Sequence, residues 1–274
     1  MINKNFAFLL ICLFFVAIIT SACGGGGKTI PPDNSALYYL LAQQNANNNE
    51  QEQQNEPTPD PSPTPDPSPV NPFADAKVGD YVEFGHYRQT GDAENAAEWE
   101  PQPIEWQVLS IDAVNNRVLV ISRYGLDVKH FDNDSNVWAE SEICNWLNVD
   151  FYNTAFDETE KSFIKPVNIV DDSYDFSGSD YNVFLLSKAE VENTEYFANA
   201  DARRCEATAY AVKNVAYVAS NGYSYWWLRS PSLDFSPNPD FSNRVYFVNI
   251  DGLIYEYDVY FDYSLVRPAL WINL

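Results

Sequence analysis

The four cysteines, Cys12, Cys23, Cys144 and Cys205, carry the most versatile chemistry in this 274-residue chain. A thiol can be acylated, bridged, bound to a metal or left as an apolar filler, and its surroundings select among these. Cys12 lies within an apolar run from Phe6 to Ile19, and Cys23 follows Thr20-Ser21-Ala22 and precedes four glycines. Cys144 and Cys205 sit far downstream among aromatic residues. A second set of groups is acidic: Asp171, Asp172, Asp175 and Asp180 surround Gly178 and supply the oxygens and the turn that a Ca²⁺ loop needs, without EF-hand spacing. Asp132-Asn133-Asp134 is a weaker version of the same pattern. A third set mixes aromatic and acidic residues. Tyr255, Tyr257, Asp258, Tyr260 and Tyr263 belong to a Tyr-Asp-Asn-Ser stretch from Ser232 to Ser264. Such residues offer large rigid contact areas with adaptable hydrogen bonds, and the alternation of Tyr255, Tyr257 and Val259 is equally that of an ordinary strand.

Enzyme chemistry has little to draw on. The sequence has no nucleophile elbow, glycine-rich phosphate loop or zinc signature, and His86 and His130 show no ligand spacing to the cysteines. A carboxylate pair for glycoside hydrolysis could come from the many acids, but sequence does not select two.

These groups must be positioned by very different segments. Lys4, a short apolar stretch and small residues before Cys23 read as an export signal. Its end resembles a bacterial lipobox, with Thr20 where Leu is more common. The resemblance implies that residues 1–22 are removed and that Cys23 is acylated on sulfur and amine, palmitate-type chains holding the protein on a membrane surface. An uncleaved anchor and an ordinary secretory signal are the other readings. Gln43 to Gln54 is nearly all Asn, Gln and Glu, and Pro57 to Pro69 repeats Pro-Thr-Pro-Asp-Pro-Ser. Neither can bury enough apolar surface to offset its ordering entropy, so residues 23–71 read as a disordered tether. The proline part alone reaches roughly 40 Å as extended polyproline II.

From residue 72 to 274 the composition suits one domain with a sizeable core. It is acidic within a chain of net charge −23, which argues against nucleic acid or anionic lipid as a broad-surface partner. Cys144 and Cys205 are expected to be bridged in an oxidising compartment, closing a loop of about 61 residues, with two separate buried thiols as the alternative. Tyr81–Phe84, Ile104–Ile111 and Val118–Ser122 predict an opening antiparallel sheet. Helices follow around Trp138–Leu147, after the capping boxes Asp157-x-x-Glu160 and Ser187-x-x-Glu190, and over Arg203–Val212, which would put Cys205 on a helix. Val183–Leu186 reads as a buried strand, and Tyr225–Leu228, Arg244–Ile250, Leu253–Tyr257 and Leu265–Ile272 as closing strands. Trp226 and Trp227 should face opposite sides with at least one in the core, and Arg229 and Arg267 are expected in buried pairs with carboxylates.

Ile104-Glu-Trp-Gln-Val-Leu109, Trp146-Leu-Asn148, Val183-Phe-Leu-Leu-Ser187, Thr208-Ala-Tyr-Ala211, Trp226-Trp-Leu-Arg-Ser-Pro231 and Val266-Arg-Pro-Ala-Leu270 occur in an order that resembles the bacterial DUF6273 domain over residues 78–274. The tail is also similar to the C-type lectin-like fold shared with sulfatase-modifying factors. Those enzymes use late cysteines, and no cysteine follows Cys205, so that activity is not implied. The expected fold is a single α+β, C-type lectin-like domain with antiparallel strands around a central helical section. The expected function is a membrane-anchored lipoprotein on the outer surface of the bacterial envelope, presenting a binding module to a glycan or protein ligand without a cofactor. An envelope glycan hydrolase and a ligand-free structural spacer are the alternatives. Replacing Cys23→Ser should abolish incorporation of labelled palmitate and leave an uncleaved or mislocalised precursor. Wild-type protein that is wholly soluble and unlabelled would refute acylation.

Overall fold

Regular alternation builds the first sheet. In Pro101–Asp112, Ile104, Trp106 and Val108 are buried while Glu105 and Gln107 between them are partly exposed, as a half-buried strand requires. The computed structural model describes residues 69–169, 180–232 and 243–274. Cys23, the signal, most of the tether, Asp171, Asp172, Asp175 and the stretch 233–242 lie outside the described residues. The described residues form a mixed α+β arrangement within the unit Pro67–Leu274.

Three long strands open the domain as a meander: β1 (Tyr81–Arg88), β2 (Pro101–Asp112) and β3 (Arg117–Ser122). After β4 (Asp127–Val128) the chain turns helical through α1 (Glu142–Trp146), a π turn over Leu147–Phe151, α2 (Tyr152–Ala155) and α3 (Glu158–Phe163). Short strands β5 (Ile164–Lys165), β6 (Val167–Asn168) and β7 (Asp180–Tyr181) lead to α4 (Lys188–Glu192) and α5 (Ala200–Arg203). Then come β8 (Cys205–Glu206), α6 (Ala209–Lys213), β9 (Tyr223–Ser224), β10 (Trp226–Pro231), β11 (Arg244–Val248), β12 (Ile254–Asp258), β13 (Leu265–Val266) and β14 (Ala269–Asn273). One five-stranded sheet runs in the order β1-β2-β3-β14-β5 and the other in the order β12-β11-β10-β13-β4. Pairing is antiparallel except between β10 and β13.

Both capping boxes form. Asp157 Oδ1 accepts from the Glu160 N–H at 2.8 Å while Glu160 Oε2 accepts from the Asp157 N–H at 2.9 Å. Ser187 and Glu190 exchange the same pair at 3.1 and 2.7 Å. The helix expected around Trp138–Leu147 begins with Ser141 as the cap of α1, accepting from the Cys144 N–H at 3.2 Å. Val183–Leu186 is fully buried but forms no strand of its own: Phe184 bridges Ala269, and the Leu186 carbonyl accepts from the Arg229 N–H of β10 at 3.0 Å. The helix expected over Arg203–Val212 is split: Arg204 turns extended, Cys205 and Glu206 pair with Ser224 and Tyr223, and Thr208 caps α6. The strand expected over Leu265–Ile272 is also split, at Arg267-Pro268.

The core holds Trp106, Trp138, Trp226 and Trp227 with no exposed surface or nearly none. Trp226 and Trp227 both lie inside because β10 is central in its sheet and is covered on both faces. Their indole N–H groups donate to the carbonyls of Arg203 at 3.0 Å and Lys129 at 2.9 Å, so neither donor is wasted by burial.

The turn between β11 and β12 depends on Gly252, whose φ is +79° and whose pro-Cβ position lies 1.8 Å from the Ala200 carbonyl oxygen. A side chain there would meet fixed backbone as well as adopt a left-handed conformation. Gly252→Ala should therefore lower unfolding stability by about 1–3 kcal/mol. Denaturant melting measures this, and an unchanged midpoint would show that α5 yields to the turn.

Candidate binding surface

The outer strands of the second sheet carry aromatic rings at matching register. Trp227 on β10 pairs with Phe247 on β11, and Phe247 pairs with Tyr255 on β12, while Val245 pairs with Tyr257. Because side chains two apart share a face, Tyr225, Trp227, Val245, Phe247, Tyr255 and Tyr257 face the same side. Phe247 lies 6.3 Å from Trp227, 6.3 Å from Tyr255, 6.1 Å from Tyr257 and 5.7 Å from Tyr225, ring centre to ring centre. The loop after β12 extends this surface. Phe261 lies tilted 4.6 Å from Tyr257 and edge-on 5.4 Å from Tyr263, and it also meets Trp227 and Tyr225 edge-on. Tyr217 adds a parallel stack on Tyr225 at 4.9 Å. The result is a continuous set of rings anchored on a buried tryptophan.

Of the tyrosines singled out in the sequence, Tyr255, Tyr257 and Tyr263 stand in this ring set, and Tyr260 contacts Asp258 instead. Tyr255, Tyr257, Tyr260 and Tyr263 are 47, 43, 60 and 49 % exposed, so they are not core residues. Between them Val259 is completely buried and its carbonyl accepts from the N–H groups of Phe131 and Asp132, which pins the loop to the body. Asp258 is half-buried and held: Arg244 Nε donates to it at 3.1 Å and the Tyr260 hydroxyl donates at 3.3 Å. The Asp258 charge also holds the Tyr260 phenol above its ordinary range.

At the rim, His130 sits between two carboxylates, with Nε2 2.7 Å from Glu142 and Nδ1 3.1 Å from Asp262. Beside it, Lys129, Glu140, Trp146 and Asp150 help line a shallow cavity of about 430 Å³. Glu142 is committed to His130 and Asn133.

Other expected site residues take structural roles or stay apart. Cys144 and Cys205 are both free and buried, which corrects the expected bridge. Cys205 is on a strand, with its sulfur against the carbonyls of Arg123 and Glu206, whereas Cys144 is on α1 beside Asn148. Burial pushes the Cys144 thiol up to about 12 and also raises Cys205, so both behave as apolar filler. Asp180, the one described member of the calcium candidates, is exposed on β7, and no group of three metal-binding side chains occurs among the described residues. Asp132 is spent on the backbone. It accepts from the N–H groups of Asp134, Ser135 and Glu142 at 2.9–3.0 Å, which outweigh its burial and lower its carboxyl. Arg229 is paired with Glu190 at 2.5 Å as expected, but Arg267 has no carboxylate partner among the described residues.

Tyr217, Tyr225, Phe247 and Phe261 escaped the sequence reading. Tyr225 and Phe247 had a signal, since each is two residues from a strand position on the same face. Tyr217 had none, because its stack on Tyr225 is made by a loop.

A family model described as a domain of unknown function, DUF6273, matches residues 115–274. The chain belongs to the DUF6273 family. No curated protein and no solved structure matches it. The DUF6273 match begins just before β3, yet β2 pairs with β3 from Trp106 to Asp112 and β1 pairs with β2. The packed sheet therefore extends N-terminal to the matched segment.

Burial opposes a charge on His130, but the hydrogen bonds and charges of Glu142 and Asp262 outweigh it and raise the ring above its ordinary value. A group raised on folding contributes fully below its unfolded value, and the contribution is lost as pH rises through the folded one. Amide exchange at Asp262 and Tyr263, corrected for intrinsic rates, should speed up as pH rises above the ordinary histidine value of 6.5. His130→Gln should exchange fast throughout. A wild-type profile without this step would show that the histidine does not clamp the loop.

Proposed function

We propose that this DUF6273 protein is an acylated envelope lipoprotein whose C-type lectin-like domain binds a ligand through the ring surface of Tyr255, Tyr257, Phe261 and Tyr263. The reading rests on one observation above all: an exposed, contiguous aromatic face whose rings are fixed by one another and by Trp227. Monomeric proteins rarely leave such a face without use. A glycan suits it better than a second protein. The apolar faces of sugar rings stack on tyrosines, and Asp262 and the phenols at the edge accept and donate to hydroxyl groups. Tyrosine gives this contact with little side-chain freedom to lose. Two five-stranded sheets joined by a shared closing segment around a helical section support the lectin-like assignment. The N-terminal signal with Cys23 supports a place on the outer surface, and the proline-rich stretch supports display away from the lipid.

The test uses the full chain in detergent against a glycan array, with wild type beside Tyr255→Ala, Tyr257→Ala, Tyr260→Ala and Tyr263→Ala. Binding should weaken by about 2 kcal/mol or more at the strongest position. Exposed positions should leave the melting temperature nearly unchanged. Binding that survives all four changes, or its absence from wild type across glycans and envelope proteins, would favour the spacer. Release of reducing ends from a bound glycan would favour the hydrolase, with its carboxylates sought around the cavity beside His130.

A further inference from the structure

Basic groups are outnumbered more than two to one in this chain, yet Arg123, Arg204 and Arg267 line one cavity of about 150 Å³, with Tyr81, Tyr223 and Glu206 also on its wall. Each guanidinium is held over a ring. Arg123 lies 5.0 Å from the centre of Tyr81, Arg204 5.4 Å from Tyr223, and Arg267 5.0 Å from Trp226. Two of the three are neutralised: Arg123 pairs with Glu105 at 3.0 Å and Arg204 with Asp201 at 2.8 Å. Arg267 is different. It is only 3 % exposed, its Nε donates to the Ser122 carbonyl at 2.9 Å, and its Nη1 is buried without a hydrogen-bond partner among the described residues. Arg204 Nε is buried and unpartnered in the same way.

A buried guanidinium with a free donor and no carboxylate is costly unless something accepts from it. Arg267 lines the cavity and has no carboxylate partner among the described residues, which defines what would be accepted there. We propose that this cavity is a binding site for the carboxylate group of a small ligand, received by the guanidinium groups of Arg267 and Arg204 between tyrosine rings. The charge inventory selects a monoanion over a phosphate. Arg123 and Arg204 already have partners, Glu206 is negative on the wall, and the chain as a whole is strongly acidic, so a dianion meets more repulsion than a carboxylate. Planar guanidinium donors also match carboxylate oxygens in direction. Glu206 is placed to accept from a hydroxyl or ammonium group on the same ligand. The site is independent of the aromatic surface. Arg267 stacks on Trp226, whereas that surface is built on Trp227, and successive strand residues face opposite sides.

Calorimetry on the full chain in detergent, titrating sodium acetate against sodium chloride at matched ionic strength, tests the site. Acetate should bind saturably, with a dissociation constant on the order of 1–10 mM. Arg267→Gln should abolish this binding. Arg204→Gln, at a half-buried position, should weaken it by about fivefold or more while leaving the melting temperature within a few degrees of wild type. Acetate indistinguishable from chloride would overturn the proposal, as would acetate binding unchanged in Arg204→Gln. Tighter binding of inorganic phosphate than of acetate would overturn the assignment to a carboxylate.

Discussion

The break at Arg267-Pro268 is the constraint on which the two sheets depend. Leu265 and Val266 pair within the second sheet, between β10 and β4, and Ala269 to Asn273 pair within the first, between β3 and β5. One stretch of chain is therefore an interior strand of both sheets. Proline has no N–H to give to a ladder and fixes its own φ, so the strand must end there and can restart at a new angle. The break is sealed by β3: the Ser122 N–H donates to the Pro268 carbonyl at 2.9 Å, and Arg267 Nε donates to the Ser122 carbonyl. Both backbone groups of Ser122 thus serve the crossing.

Everything near the crossing is arranged to tolerate polar groups in a dry interior. Arg229 donates to the Leu185 carbonyl at 2.7 Å and to Glu190, tying α4 to β10, while its Nε is buried without a partner among the described residues. Asp127 is likewise buried, accepting from the Tyr87 hydroxyl at 2.7 Å and from the Val128 N–H at 2.8 Å. Burial, with the Asp127 charge next, raises the Tyr87 phenol, so it remains a donor at any ordinary pH. Buried donors without a partner among the described residues also occur on Arg229 and Trp138, but those of Arg267 and Arg204 belong to side chains that line one cavity, where a fold can give up stability for binding.

The aromatic surface follows from the same architecture. Since β10 is covered on both faces, Trp227 is buried, and its exposed neighbours on β11 and β12 lie over it as a layer. The loop from Asp258 to Tyr263 has its middle residue Val259 locked inward by Phe131, so the tyrosines on either side are turned outward together.

Much of the local structure was legible in the residues themselves. Both capping boxes, the opening meander and the strands on either side of the β11–β12 turn depend on periodicity and on contacts three residues apart, and those act before any distant packing. The family was legible too, because its motifs are contiguous. Cys205 was misplaced on a helix because its neighbours are good helix formers, whereas its pairing with Ser224 is a contact between distant segments. The cysteine bridge failed for a related reason: composition and compartment favour a pair, but only the fold decides whether two thiols meet. By itself, then, the sequence determined the elements, the acidic character and which tyrosines alternate on a strand. Tertiary structure alone decided that those tyrosines are exposed, that Tyr217 and Phe261 join them, and that Arg123, Arg204 and Arg267 share one cavity. Faces, cavities and unpartnered donors are products of packing between segments far apart in the chain, and no local pattern encodes them.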